Sequence, residues 1–168
     1  VRGSHGTGML IIRNDGAVRS LKIGGDPFGF LSDKSFPEFF NPKTEGYSAN
    51  APKDCILVGH NRLKTSGEHT TEHAHPHRSG DIFLVHNGTI PAYSNLPGIA
   101  KAEVDTMALT SAIDQLGIEE AISKTYGSYA IVFYNIKEKT LNILRNSKRP
   151  LYIGTDPKDD RIFFASES

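Results

Sequence analysis

The sequence has no excess of either charge: Lys plus Arg and Asp plus Glu each total 19, for a formal net charge of zero over 168 residues. Without a basic surplus nothing in the composition recruits nucleic acid or an anionic membrane, and neither partner is expected. No apolar run approaches the roughly 20 residues that a membrane span needs. Cysteine is nearly absent: Cys55 stands alone, which excludes an internal disulfide and fits a reducing, cytoplasmic setting. No repeat or linker breaks the chain, so residues 1–168 read as one domain long enough for a real core, with oligomerisation left open. The opening residues themselves do not read as a signal peptide. Its Arg2-Gly3-Ser4-His5 reads either as a cloning scar or as the lead into a strand through Gly6 and Gly8.

What is present concentrates between Gly59 and Ile90. Two apolar runs of strand length, Cys55-Ile56-Leu57-Val58 and Ile82-Phe83-Leu84-Val85, each carry polar residues off the carboxyl end. These are His60, Asn61 and Arg62 after the first, and His86, Asn87 and Gly88 after the second. Asn followed by Gly predicts a sharp turn that exposes a backbone N–H beside the Asn amide, and two converging donors can hold an oxyanion. Arg62 supplies a planar fork suited to a carboxylate. Together these are parts of a site for an amino acid undergoing acyl transfer.

At these residues the chain resembles the class II glutamine amidotransferase domain, most nearly the glutaminase domain found in glucosamine-6-phosphate synthases. The matching segments are Gly59-His60-Asn61-Arg62-Leu63-Lys64-Thr65, then Ala74-His75-Pro76, then Val85-His86-Asn87-Gly88, in the family's order. The likeness runs on through Asp105-Thr106, Arg149-Pro150-Leu151-Tyr152-Ile153-Gly154 and Ala165-Ser166-Glu167. It implies that Asn87 and the Gly88 N–H hold the oxyanion of a glutamine amide under attack. It implies further that Arg62, with Thr65 beside it, binds the α-carboxylate, that Asp105 binds the α-ammonium, and that His75 sits on a loop shaping the pocket. Met107 stands where the family has Glu, and the connection after Gly88 is short.

The family's nucleophile is a cysteine at the first position of the processed chain, where its own α-amino group, of pKa about 7.7 to 8.0, can act as base. Cys55 opens an apolar strand and is expected to be a small core residue instead. The resemblance therefore implies a nucleophilic Cys outside this sequence, on a polypeptide that extends upstream of Val1. His69, His73, His75 and His77 fall within nine positions, a density that can bind zinc. Pro76 prevents one helix from presenting all four, no recognised metal motif is present, and neither a native metal nor a cofactor is expected.

Elsewhere the pattern predicts a hairpin from Met9–Ile12 to Ala17–Ile23 around Asn14-Asp15-Gly16, broken by Gly24-Gly25-Asp26-Pro27. A short helix follows through Phe39-Phe40, capped at Ser32 or Asp33, and then a loop from Asn41 to Lys53. Helices are predicted over Lys101–Leu116 and Ile118–Thr125, and strands over Ala130–Tyr134, Leu141–Leu144 and the C-terminal segments. Strand-rich ends around a helical pair make an α+β domain. The resemblance narrows this to the N-terminal-nucleophile hydrolase αββα sandwich of two mainly antiparallel sheets. Its function would be hydrolysis of L-glutamine to glutamate and ammonia, the ammonia passing to a synthase module in the same or another chain. The competing readings are a degenerate domain that binds glutamine without catalysis and a His-cluster metalloprotein.

Overall fold

Period-two alternation sorts the strands of this chain into two core layers. In the computed structural model, which describes residues 3–13, 16–40, 55–64, 68–96, 102–158 and 161–167, strand β1 (Gly6–Arg13) lies between β2 (Val18–Ile23) and β3 (Cys55–Arg62). A second sheet has the order β4 (His77–Ser79), β5 (Ile82–Thr89), β6 (Ser128–Asn135), β7 (Thr140–Arg145). All pairings among the described residues are antiparallel, including a separate hairpin of β8 (Tyr152–Asp156) and β9 (Arg161–Ala165).

Leu10, Ile12 and Val58 from the first sheet meet Phe83, Val85, Val132 and Tyr134 from the second, forming the layer between the sheets. The alternate residues of β5 and β6, Ile82, Leu84, Ile131 and Phe133, face the other way. There they pack on Ala108, Leu109, Ala112 and Ile113 of α3 (Asp105–Leu116), with Ala121 of α4 (Ile118–Ser123) completing the cluster. On the far side, α1 (Pro27–Ser32) and α2 (Ser35–Phe39) lie against β1 and β2. The result is helix, sheet, sheet, helix: the α+β sandwich that the resemblance implied.

Several local expectations shift. Asn87 and Gly88 belong to β5 and do not form a turn, because β6 continues to pair with them, Asn87 with Ala130 and Gly88 with Tyr129. His60 to Arg62 are likewise the last residues of β3, held opposite Gly8 to Gly6 of β1. The Asp26-Pro27 break also starts α1: the Asp26 carboxylate accepts from Gly29 N at 2.8 Å and Pro27 takes the first helical position. Helix α3 begins at Asp105, since Val104 is extended. The Asn41–Lys53 loop, Asn14-Asp15 and Thr65 lie outside the described residues. No helix among the described residues is long and apolar enough to cross a membrane.

Candidate functional site

The same alternation that builds the core aims the polar ends of β3 and β5. Ile56 and Val58 face the inter-sheet layer, so His60 and Arg62, two and four residues beyond Val58, enter it too. On β5, Asn87 shares the parity of Phe83 and Val85 and faces the gap, whereas His86 shares that of Leu84 and turns toward the start of α3. A cavity of about 880 Å³ lies where these ends meet, lined by His60, Arg62, His75, Asn87, Gly88 and Asp105 among others. Sites proposed from sequence positions far apart are therefore brought together, with Thr65 undescribed.

Arg62 is 6% exposed and Asp105 8%. Burial depresses the guanidinium pKa, and the Asp105 carboxylate raises it in part, so the two opposite charges share one field inside the cavity. Each is also braced by backbone. Arg62 donates from Nη1 to Glu68 O at 3.1 Å, and Asp105 Oδ2 accepts from Ile90 N at 2.9 Å. His73 Nδ1 lies 3.0 Å from both Glu68 N and Glu68 O, and its Nε2 lies 2.7 Å from the Glu103 carboxylate, so one buried imidazole ties this loop to the approach to α3.

Glycines make room for the arrangement. A Cβ at Gly8 would run into the carbonyl oxygen of His75 and into Lys22 Cβ at 2.8 Å, so the chain carrying His75 rests directly on β1. Gly88 has φ +156, and a Cβ there would meet the carbonyl oxygen of Ser128 and His86 Nε2 at 2.6 Å. Gly3 (φ +77) abuts the Asn61 carbonyl, and His5 N donates to Arg62 O at 3.0 Å, so the opening segment packs on the end of β3.

The histidine-rich segment does not converge on one point. His69 is exposed against His5 at 4.2 Å between ring centroids, His73 is spent on Glu68 and Glu103, and His75 and His77 lie along the cavity wall. Among the described residues no group of three or more His, Cys, Asp or Glu is arranged to hold a metal. Instead His60, for which the sequence suggests no role, packs tilted against His75 at 3.9 Å between ring centroids, and His75 meets His77 edge-on at 4.9 Å. Burial pushes the His60 imidazole down to about 4 and the His77 imidazole down to about 3, and holds His75 well below its ordinary value. All three are neutral at pH 7.

An unfolded histidine titrates near 6.5. Stability contributed by keeping these rings neutral is thus complete above that pH and is lost as pH falls toward about 4 for His60 and about 3 for His77. Denaturant melts should show stability declining below about pH 6.5. The decline should be shallower in a His77→Phe variant. An equal slope in both proteins would show that carboxylates, and not these rings, set it.

Cys55 opens β3, opposite Arg13, whereas Arg62 closes it. At about 3.3 Å per residue the two ends of this strand are roughly 23 Å apart, so Cys55 cannot attack a ligand held at Arg62.

Comparison with known proteins bears on the chemistry. A family profile described as a glutamine amidotransferase domain matches residues 60–168. The chain is 32% identical over 182 residues to glutamine–fructose-6-phosphate aminotransferase of Clostridium acetobutylicum, with 99% of this chain and 27% of the relative covered. It is 38% identical over 115 residues to the Bacillus subtilis protein of the same name, with 58% and 19% covered. It thus spans about a fifth to a quarter of the length of these relatives. Among solved structures, the glutamine phosphoribosylpyrophosphate amidotransferase of B. subtilis superposes with a TM-score of 0.61 at 22% identity, covering 94% of this chain and 35% of that one. An allosteric regulatory enzyme of purine biosynthesis gives 0.63 at 23% identity, with 92% and 34% covered. These two likenesses concern the fold.

Proposed function

This chain belongs to the glutamine amidotransferase domain family, and we propose from that premise that residues 1–168 form a type 2 glutaminase domain that binds L-glutamine and releases its amide nitrogen as ammonia. The observation that carries this reading is the buried pair Arg62 and Asp105 in the cavity that also receives Asn87 and Gly88. A zwitterionic α-amino acid brings a carboxylate to the guanidinium and an ammonium to the carboxylate, compensating two charges that burial otherwise penalises. Its side-chain amide then extends toward the end of β5, where the Asn87 amide and the Gly88 N–H serve the developing oxyanion. The family likeness assigns Thr65, outside the described residues, a hydroxyl contact to the same carboxylate, and His75 shapes the wall.

Attack requires a nucleophile, and Cys55 stands at the wrong end of β3. A cysteine at the start of the mature polypeptide would supply both thiolate and α-amino base: its sulfur attacks the amide carbon, ammonia leaves, and water releases glutamate from the thioester. Ammonia then passes to a synthase module, and the two curated relatives, named for transferring an amino group to fructose-6-phosphate, support a sugar phosphate as its acceptor. A cytoplasmic setting fits the single unpaired cysteine.

The reading in which the domain binds glutamine without hydrolysing it shares the same pocket, and one pair of measurements separates the two. Calorimetry on this chain should show binding of L-glutamine and not D-glutamine, whose ammonium and side chain cannot both be satisfied. N-terminal sequencing of the native protein with a glutaminase assay should find Cys first and ammonia released. Binding without either would leave a glutamine sensor, and absence of L-glutamine binding would overturn both.

A further inference from the structure

The hydroxyl of Thr106 sits where three functional groups meet. Its Oγ1 lies 3.0 Å from His75 Nε2, 3.2 Å from His86 Nδ1 and 3.3 Å from Asp105 Oδ1, and Thr106 itself is 2% exposed. We propose that Thr106 is a positioning residue of the glutamine site, whose single hydroxyl fixes the tautomers of His75 and His86 and through them the alignment of the cavity wall with Asp105. The functional part of this inference rests on the glutamine reading above; the tautomer part does not.

The bonding is determined by which partners can donate. His86 Nε2 faces the Ser128 carbonyl oxygen at 3.4 Å, and a carbonyl accepts, so the proton of this ring is on Nε2 and its Nδ1 carries a lone pair. That lone pair needs a donor, and Thr106 Oγ1–H is the donor at hand. The hydroxyl oxygen can then accept from His75 Nε2–H. With the proton on Nδ1 instead, His75 would bury an N–H, since its Nδ1 has no partner among the described residues. His60 follows the same rule, its Nε2 donating to the His86 carbonyl oxygen at 3.1 Å. A one-way chain results, from His75 through Thr106 and His86 to Ser128, with His60 hung on the His86 backbone.

Asp105 competes for the same hydroxyl proton, since Thr106 has one proton and both Asp105 Oδ1 and His86 Nδ1 are acceptors. An incoming ammonium donates to the Asp105 carboxylate, which releases the Thr106 proton wholly to His86. Occupation of the ammonium position therefore stiffens the residue that immediately precedes Asn87. Thr110 secures the hub from below, its hydroxyl donating to the Thr106 carbonyl at 2.7 Å.

The test compares Thr106→Val, which keeps the branched shape and removes donor and acceptor, with Thr106→Ser, which keeps both. Long-range proton–nitrogen NMR correlations distinguish a protonated ring nitrogen from one carrying a lone pair. In the wild-type chain Nε2 should carry the proton in His60, His75 and His86. In Thr106→Val the Nε2 signals of His75 and the Nδ1 signals of His86 should move while those of His60 stay, and in Thr106→Ser all should return. Affinity for L-glutamine should fall about tenfold in the valine variant and recover in the serine variant. Unchanged ring signals in folded Thr106→Val would overturn the proposal, as would a valine variant with shifted rings and undiminished glutamine affinity. If Thr106→Val fails to fold, the wild-type tautomers decide alone, and a proton on Nδ1 of His75 or His86 sinks the assignment. Should the wild-type chain show these tautomers and bind no glutamine, the glutamine reading fails and the hydrogen-bond assignment stands.

Discussion

Replacing Asn87 by alanine in the nucleophile-bearing polypeptide should lower kcat by about a hundredfold or more with little change in KM, the loss found when one donor to a tetrahedral oxyanion is removed. The position supports a selective effect. Asn87 shares the inter-sheet face of β5 with Phe83 and Val85 and lines the cavity, but it is not part of either hydrophobic cluster. An amide at this place gains most as negative charge builds on the substrate oxygen. Asp105 gives the contrasting result. Its partner, the α-ammonium, is equally charged before and during the reaction, so Asp105→Asn should chiefly raise KM. Asparagine retains an acceptor for the Ile90 N–H, which keeps the helix start in place while the charge is removed. Steady-state kinetics of the two variants, with melting curves to check folding, decide the matter. If Asn87→Ala keeps its kcat while Asp105→Asn only lowers the melting temperature, both roles are wrong and the residues serve the fold.

Arg62→Lys should weaken L-glutamine binding by about 1.5 to 3 kcal/mol, roughly 10- to 150-fold in Kd. Lysine keeps the charge and loses the planar fork that pairs with both oxygens of a carboxylate. The guanidinium also donates to the Glu68 carbonyl, a bond that lysine cannot hold together with a two-point grip on a ligand. The variant therefore also loosens the loop that His73 ties to Glu103. Calorimetry separates the two effects. A lowered melting temperature with undiminished affinity would place Arg62 in the scaffold and leave the carboxylate to Arg149, the other guanidinium lining the cavity among the described residues.

Some elements could be read directly from the chain and others could not, for identifiable reasons. The β1–β2 hairpin and the β6–β7 pair follow from apolar runs and alternation bounded by turn residues, because strand patterning is local, whereas the C-terminal strands were legible through the family likeness. The carboxyl ends of β3 and β5 extend beyond the apolar runs that signal them. Their last residues are polar, and what keeps them extended is a neighbour distant in sequence, Gly6 to Gly8 for β3 and Ser128 to Ala130 for β5. The start of α1 had a signal in Asp26-Pro27 that reads equally as a breaker, since the same pair that ends a strand can cap a helix.

By itself the sequence determined the family, the order of the motifs and the residue types able to grip an amino acid, because these depend on side-chain identity and spacing. Only the tertiary structure decided which of those side chains share one space. Facing sheets bring the end of β3 against the end of β5 and the first turn of α3, and the missing Cβ of Gly8 lets the His75 chain lie on β1. It also decided what the histidines are. Seven imidazoles in a sequence are potential ligands or charges; here His60, His75 and His77 are buried and neutral, and His73 is a tie between loops. Burial and the direction of each hydrogen bond set those states, and both arise from contacts between residues that the chain holds far apart until it folds.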